Sequence, residues 1–222
     1  MANLKRRKLP RHWLRRRSAS ARVPSENAID RMGIEKLLSR KQLIFRNGQS
    51  ASYIYKVESG CICTYAKRSD GSRLIIGFYF SGDYFGLELR KKHLVFAEPI
   101  TPSLVLVIRR RALAARAAND LAVARHMLAI TNAELQRAQN HSLLLRNSAS
   151  AHKRVANFLF EMKQRNRRKE VELAMSRQDI ADYLSLTIET VSRSLNKLKK
   201  KSAISHVTTR SVTVHLRKRL AA

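Results

Sequence analysis

Residues 175–198 read M-S-R-Q-D-I-A-D-Y-L-S-L-T-I-E-T-V-S-R-S-L-N-K-L, and their apolar residues recur at the spacing of two short amphipathic helices. The residues expected to face inward are Ile180, Ala181 and Leu184 in the first helix and Val191, Leu195 and Leu198 in the second. Residues 185–187 separate the two helices as a hinge, in which Thr187 is a suitable N-cap for the second helix.

The second predicted helix carries a polar stripe opposite its apolar face. Glu189, Ser192, Arg193 and Asn196 lie at i, i+3, i+4 and i+7 and therefore share one side. An apolar back, a capped hinge and polar side chains near the start of the second helix are what a helix-turn-helix needs to reach base edges in a major groove of DNA. The alternative is that the stripe is an ordinary solvent-exposed helix face.

Residues 177–193, R-Q-D-I-A-D-Y-L-S-L-T-I-E-T-V-S-R, resemble the DNA-reading motif of the Crp/Fnr superfamily of bacterial transcription regulators, and above all its FixK-like branch. Both the residue types and the length of the hinge match, and the resemblance covers roughly residues 30–220. One position departs from the family, because the hinge residue that is usually glycine is Ser185. A left-handed backbone conformation costs a residue other than glycine roughly 1–2 kcal/mol, so we expect a hinge that is reshaped or less stable.

The charge of the chain also favours a nucleic-acid partner. Its 222 residues include 45 Lys and Arg against 16 Asp and Glu, a formal net charge of +29. This length is sufficient for one or two domains with their own cores. Such an excess of positive charge indicates a polyanionic partner, of which double-stranded DNA is the first candidate and an anionic membrane surface the alternative. Since the chain has no apolar run of the roughly eighteen residues that a spanning helix needs, we expect a soluble protein with no membrane partner.

Residues 1–24 are predicted to form a disordered basic tail, because like charges at this density repel one another and resist folding. Eight cationic residues lie close to Trp13, namely Lys5, Arg6, Arg7, Lys8, Arg11, Arg15, Arg16 and Arg17. The tail would add non-specific affinity for phosphates. The alternatives are that the start codon is misassigned or that the segment is an organellar transit peptide. Only two cysteines occur and no secretory signal peptide precedes them, so a cytoplasmic location is expected.

The first half of the chain has the pattern of short strands. The turn dipeptides Asn47-Gly48, Ser59-Gly60, Asp70-Gly71 and Ser81-Gly82 recur every eleven or twelve residues. Residues 53–57, 61–65 and 74–80 are rich in β-branched and aromatic side chains, and another apolar run covers residues 103–108. This pattern predicts a β-sandwich, jelly roll or barrel, in agreement with the β-roll sensor domain of the superfamily. A short helix is predicted over residues 29–38.

All seven glycines lie at or before Gly86, so a domain boundary followed by helices is expected near residues 108–112. A heptad seam can then be traced through Leu121, Ala124, Leu128, Thr131, Leu135, Ala138, Ser142 and Leu145. Alternating steps of three and four residues are typical of a parallel helix–helix contact between two subunits. Such a homodimer would present its two recognition helices about one DNA turn apart, roughly 34 Å. The alternative is a helix that packs on its own domain.

Two elements are expected to flank the helix-turn-helix. One is a helix marked by Val155, Phe158, Leu159 and Met162, after which residues 164–169 form a basic loop. The other is a β-hairpin between residues 204–207 and residues 212–216, which would be the wing of a winged helix.

Base-reading and backbone-binding residues can be separated by their chemistry. Arg193 is suited to a bidentate bond with guanine, Glu189 to accepting from a cytosine amino group, and Ser192 to donating or accepting. In the resembling motif this set implies half-sites of the TTGA/TCAA kind. The residues expected to bind the DNA backbone are Arg177, Gln178, Thr187, Thr190, Lys197, His206 and Arg210.

The resemblance implies that the usual cofactors of the superfamily are absent. Relatives that bind a cyclic nucleotide have a glutamate for the ribose and an Arg-Ser or Arg-Thr pair for the phosphate, and this chain has Leu87 and Ala97-Glu98 in those places. The iron–sulfur relatives need four thiolates, which two cysteines cannot supply, and a closed zinc site is excluded on the same ground. Cys61 and Cys63 are expected to pack in the core, with thiol redox sensing as the alternative.

No enzyme signature is present, since the chain lacks a glycine-rich phosphate loop, His-Glu-x-x-His and a nucleophile in a recognisable turn. The sequence predicts an α+β protein with a basic tail (1–24), a β-roll domain of the jelly-roll, cyclic-nucleotide-binding-like kind (25–109), a long dimerisation helix (110–150) and a winged helix-turn-helix domain (151–222). The resemblance implies a homodimeric activator of low-oxygen, nitrogen-fixation or denitrification genes that contacts RNA polymerase. The alternatives are a sensor of haem, nitric oxide or another small effector, and a non-specific nucleoid-type binder.

Overall fold

The computed structural model describes residues 27–88, 90–147, 150–166, 170–208 and 211–215. The predicted basic tail and Arg210 lie outside the described residues. Within them the chain forms a β-sheet domain, three helices, and a small domain that contains the predicted helix-turn-helix. The predicted α+β fold is therefore confirmed.

The N-terminal domain is built from two antiparallel sheets. Its strands are β1 (Ile34–Leu38), β2 (Tyr53–Ser59), β3 (Cys61–Lys67), β4 (Arg73–Phe80), β5 (Tyr84–Phe85), β6 (Phe96–Pro99) and β7 (Ser103–Arg109). One sheet has the order β1-β7-β2-β5 and the other β4-β3-β6. Residues of both sheets, including Val57, Ile62 and Phe85, share one buried cluster between the layers. The strands predicted from turn spacing are thus present, and they pack as a β-roll.

The second sheet is buried on both faces. Ile62 and Tyr79 point to the first sheet, whereas Cys61, Cys63 and Phe78 belong to a cluster formed with the C-terminal helices. This arrangement explains why β3 and β4 are almost continuously apolar instead of alternating with polar residues.

The helices are α1 (Arg110–Asn119), α2 (Leu121–Asn147), α3 (Ala151–Asn166), α4 (Arg177–Leu184) and α5 (Ile188–Lys200). Residues 110–150, expected to form one long helix, contain two because the chain is extended at Asp120. The Asp120 carboxylate then caps α2 by accepting from the backbone N–H of Ala122 over 3.1 Å. Among the described residues, no helix combines the length and the apolar character needed to cross a membrane.

The prediction of a helix over residues 29–38 was wrong. The structure has a 3-10 turn at Asp30–Met32 and then strand β1, which pairs with β7 from Ile34↔Val107 to Leu38↔Ser103. Within this segment, Ile34 and Leu37 are exposed on an edge strand. Strand pairing over five residues outweighs local helix propensity here.

The predicted wing is present, and it has one more strand than expected. Strand β9 (Ile204–Ser205) pairs with β10 (Ser211–Val214), as the hairpin prediction required. The other edge of β10 pairs with β8 (Glu170–Glu172), which sequence analysis missed. With a single apolar residue, Val171, this strand is too short to give a periodic signal.

The hinge between α4 and α5 is left-handed at Ser185, with φ 52° and ψ 51°. The backbone N–H of Leu186 donates to Ala181 O over 3.0 Å, which closes the turn after α4. Ser185 therefore adopts the left-handed conformation that is costly for a residue other than glycine, and the lower stability of the hinge stays a prediction.

We expect Ser185→Gly to raise the free energy of unfolding by about 0.5–1 kcal/mol, because removing the left-handed strain outweighs the added flexibility of glycine in the unfolded chain. Urea unfolding measures the change. As a matched control, Ser205→Gly on extended strand β9 should lower stability. Equal effects of the two changes would show that Ser185 is not strained.

Candidate nucleic-acid interface

The first motif helix, α4, is eight residues long and has a capping box at its start. The backbone N–H of Asp179 donates to Ser176 Oγ over 3.1 Å, and the backbone N–H of Ser176 donates to Asp179 Oδ2 over 2.9 Å. Because so short a helix is marginal on its own, these caps and the packing of its apolar side define where it begins.

The second motif helix, α5, begins as predicted. Thr187 is its N-cap, and the Thr187 Oγ1 accepts from the backbone N–H of Thr190 over 3.2 Å. The residues predicted to face inward are all buried: Ile180, Ala181, Leu184, Val191, Leu195 and Leu198. They share a core with the predicted helix α3, which contributes Val155, Phe158, Leu159 and Met162. The opposite face of α5 is thereby turned outward.

This outward face presents the residues predicted to read bases. Glu189, Arg193 and Asn196 are exposed, while Ser192 is half-buried. The pKa of Glu189 lies below its usual value, because its own backbone N–H and the Thr187 side chain hydrogen-bond the carboxylate and the Arg193 charge is close by. Glu189 is therefore ionised and can only accept hydrogen bonds at neutral pH.

Several predicted backbone-binding residues are linked to this face by hydrogen bonds. Arg177 Nη1 donates to Ser192 Oγ over 3.4 Å, which joins the start of α4 to the middle of α5. Arg193 Nη2 donates to Thr190 Oγ1 over 3.4 Å, and this oxygen lies 3.0 Å from Thr187 Oγ1. The structure thus joins Arg177 to Ser192, and it joins Arg193 to Thr190 and Thr187.

The remaining predicted backbone-binding residues lie around this group. Gln178 is exposed on α4, where its amide donates to Asp182 Oδ1 over 2.7 Å. Lys197 is exposed one turn after Arg193, and His206 is exposed after β9 with a left-handed φ of 46°. Exposed polar and cationic side chains of this kind suit a surface that contacts phosphates.

Sequence analysis missed Arg154, a residue of α3 that supports the hinge. Its guanidinium donates to the carbonyl oxygen of Leu184 over 3.4 Å, at the end of α4. Since 30 residues separate the two positions, and arginine is common throughout this chain, no local pattern distinguished it.

The predicted seam lies on the side of α2 that faces away from the β-roll. Leu121, Leu128 and Leu135 are 65%, 62% and 56% exposed. Three further seam residues, Thr131, Ala138 and Ser142, are exposed, and Ala124 and Leu145 are half-buried. The other side of α2 contacts its own chain through residues such as Val123 and Met127. Large apolar side chains in regular exposed positions are typical of a surface that binds a partner.

The β-roll residues do not fit a cyclic nucleotide. Leu87, in the place of the ribose-binding glutamate, packs against an apolar cluster. Ala97 is fully buried, and the Glu98 carboxylate accepts from Arg73 Nη1 over 2.9 Å. Nearby, the His93 ring stacks on Phe45 with 3.6 Å between centroids. An apolar side chain and a carboxylate offer no donors to a ribose phosphate.

Both cysteines lie on β3 with their side chains buried in the core. Burial raises the pKa of the Cys61 thiol and that of the Cys63 thiol well above the ordinary value. Because the thiolate is the reactive form, this environment favours the packing interpretation. A redox role for Cys61 and Cys63 stays a prediction.

Comparison with known proteins agrees with this architecture. A family model of the Crp-like helix-turn-helix domain matches residues 153–222, and one of the cyclic nucleotide-binding domain matches residues 35–120. The nitrogen fixation regulation protein FixK of Azorhizobium caulinodans is 39% identical over 195 residues, which cover 85% of this chain and 78% of that protein. The protein of the same name from Rhizobium meliloti is 36% identical over 172 residues, 77% of this chain and 78% of that protein.

A solved structure shows the same arrangement. FixK2 from Bradyrhizobium japonicum superimposes with a TM-score of 0.79 at 38% identity, over 85% of this chain and 95% of that one. With its capped reading helix, its winged domain and these relatives, the chain belongs to the FixK-like branch of the Crp/Fnr family and is a DNA-binding transcriptional regulator, not an enzyme.

Proposed function

We propose that this regulator is a homodimeric activator that reads a palindromic site with TTGA and TCAA half-sites. The observation that carries the proposal is the exposure of Glu189 and Arg193 together on a capped helix, beside a cluster of side chains suited to phosphate contacts. The controlled genes are proposed to serve low-oxygen, nitrogen-fixation or denitrification metabolism, since two similar proteins are nitrogen fixation regulation proteins.

In the proposed complex α5 enters the major groove with its N-terminal half. The Arg193 guanidinium has two donors that match O6 and N7 of guanine, and the Glu189 carboxylate can accept from the amino group of cytosine. Arg177, Gln178, Thr187 and Thr190 lie at or near the helix starts, where side-chain donors and backbone N–H groups suit phosphates. These contacts would fix the register of α5 on the duplex, so that the two charged side chains meet particular bases.

Positive charge around the motif would add affinity for any sequence. Lys197, Lys199 and Lys200 are in the last turn of α5, and Lys201 follows it. Each cation that neutralises a phosphate releases a counterion, so binding should weaken steeply with salt. His206 belongs to the same proposed phosphate-binding set, as does Arg210, which lies outside the described residues.

The homodimer is proposed to form through the exposed seam of α2. A parallel contact along this helix would bury the three exposed leucines and arrange the two reading helices around a two-fold axis. A two-fold protein matches a palindrome whose half-sites are about 34 Å apart. As an activator, the dimer would contact RNA polymerase in the cytoplasm.

The proposal includes no cyclic nucleotide and no iron–sulfur cluster. It is supported by the apolar packing of Leu87, by the engagement of Glu98 with Arg73, and by the burial of both cysteines in the core. A cluster of that kind needs four thiolates, and the whole chain has two cysteines.

Arg193→Ala should weaken binding by roughly 1–3 kcal/mol for each half-site and relax the choice at one base pair in each, because each subunit loses one bidentate contact. Fluorescence anisotropy with single-base variants of the site and with random DNA, at several salt concentrations, measures both effects. In the control Lys199→Ala, binding to all sequences should be weakened alike, and the salt slope should be reduced by about one unit for each subunit. A uniform loss for Arg193→Ala would contradict its role, and equal affinity of the wild type for site and random DNA would contradict sequence-specific reading.

Replacing both Leu128 and Leu135 by Asp should convert the dimer into a monomer, because two charges would be buried in the seam without partners. Sedimentation velocity should then give half the wild-type mass, and affinity for the full palindrome should fall towards that for a half-site. Leu143→Asp on the same helix is the control, since Leu143 is exposed but lies outside the seam. An unchanged mass for the double variant would refute this interface.

A further inference from the structure

We propose that Arg73 is a positioning residue for DNA reading, which couples the β-roll to the two helices that contact the duplex. The inference rests on the proposed function. Neither the motif nor the charge pattern indicated it, because Arg73 lies on β4 and its two partners on α4, Asp179 and Asp182, are 106 and 109 positions away.

The Arg73 side chain extends from the β-roll to the helix-turn-helix. Its Nη1 donates to Glu98 Oε1 over 2.9 Å within the β-roll. Its Nη2 donates to Asp179 Oδ1 over 2.9 Å and to Asp182 Oδ2 over 3.4 Å, both on α4. The guanidinium also lies 5.4 Å from the centroid of the Tyr65 ring. One cation therefore holds three carboxylates from two domains.

These charges are largely shielded from water. The side chain of Arg73 is 29% exposed, and those of Glu98, Asp179 and Asp182 are 12%, 9% and 13% exposed. Removing the cation would leave three neighbouring carboxylates with little solvent to screen their repulsion. Loss of one member of such a cluster is costly for that reason. The expected response is that α4 moves away from β4.

Asp179 and Asp182 of α4 also accept hydrogen bonds from residues at the start of that helix. Asp179 Oδ2 accepts from the backbone N–H and the Oγ of Ser176 in the capping box, while Oδ1 accepts from Arg73. Asp182 Oδ1 accepts from the Gln178 amide, while Oδ2 accepts from Arg73. Arg73 is thus connected to the turn that carries Arg177 and Gln178.

From this turn the connection continues to the reading helix. Arg177 donates to Ser192 Oγ on α5 over 3.4 Å. Beneath the ion cluster, the Phe78 ring of β4 lies 5.0 Å from that of Tyr183 on α4, so an apolar contact supports the same junction. The β-roll therefore sets the position of α4, and α4 sets that of α5.

Whether loss of Arg73 strengthens or weakens DNA binding depends on which residues stay exposed when the junction between β4 and α4 is formed. With α4 held on β4, Glu189 and Arg193 are still exposed. The arrangement with α4 packed on β4 is therefore compatible with DNA binding. If α4 moved away from β4, it would have to be ordered again on binding, which would cost affinity. Loss of Arg73 should weaken DNA binding and should not activate it.

The first test compares Arg73→Gln with Arg68→Gln. Arg68 is exposed on the same β3–β4 hairpin, so the control removes the same charge from the same hairpin. Arg73→Gln should weaken binding to the palindrome roughly tenfold more than Arg68→Gln, within the range usual for coupled sites. In hydrogen exchange of the DNA-free protein, only Arg73→Gln should accelerate the amides of α4. Equal affinities of the two variants, or unchanged exchange in α4, would overturn the inference.

A second variant, Asp182→Asn, keeps the Arg73 pairs with Glu98 and Asp179 and so perturbs folding less. By charge alone, removing an acidic group should strengthen binding to DNA, whereas loss of the junction should weaken it. We expect weaker binding than wild type, and a double variant with Arg73→Gln that is no weaker than Arg73→Gln alone. Tighter binding by Asp182→Asn, or additive losses in the double variant, would argue decisively against coupling. Wild-type protein on palindromic and random DNA is measured in parallel, so a failure of sequence-specific reading is distinguished from a failure of the coupling.

Discussion

The burial of the β4-β3-β6 sheet on both faces is the constraint on which the rest of the structure depends. One face closes the β-roll through Ile62 and Tyr79, and the other forms a common core with the C-terminal helices through Cys61, Cys63 and Phe78. The hydrophobic effect acts on the total apolar area removed from water, so the small helical domain gains stability from the sheet beneath it. The reading helix is thus supported by a scaffold much larger than the helix-turn-helix itself.

Several of the few acidic residues of this chain lie at contacts between its domains. Asp83 accepts from Arg137 on α2 over 2.8 Å and from Arg165 on α3 over 2.9 Å. Tyr79 of β4 donates to Glu134 of α2 over 2.7 Å, and Asp179 and Asp182 meet Arg73. These carboxylates lie where elements of different domains meet. Against a net charge of +29, they provide attraction at junctions that would otherwise carry mutually repelling cations.

Local patterns in the sequence were sufficient for most elements. Turn dipeptides and β-branched runs marked β2, β3, β4 and β7, and the hinge with Thr187 marked the two motif helices, because caps and periodicity act within a few residues. Strand β1 was mistaken for a helix since its pairing with β7 is a long-range contact. The contacts of Arg73 and Arg154 were missed for the same reason, and strand β8 was missed because three residues give no periodic signal. The base-reading roles of Glu189, Ser192 and Arg193 stay predictions that rest on exposure and chemistry.

The composition of the α2 seam has a consequence for how such a regulator would respond in a cell. Besides its leucines the seam has threonine, alanine and serine. These residues bury little apolar area, so self-association through the seam would be modest in strength. At low abundance most copies would be single, and paired copies would increase with about the square of the total concentration. Promoter occupancy would then rise more steeply than protein synthesis, and the rate at which the cell makes the protein would itself be a control on transcription.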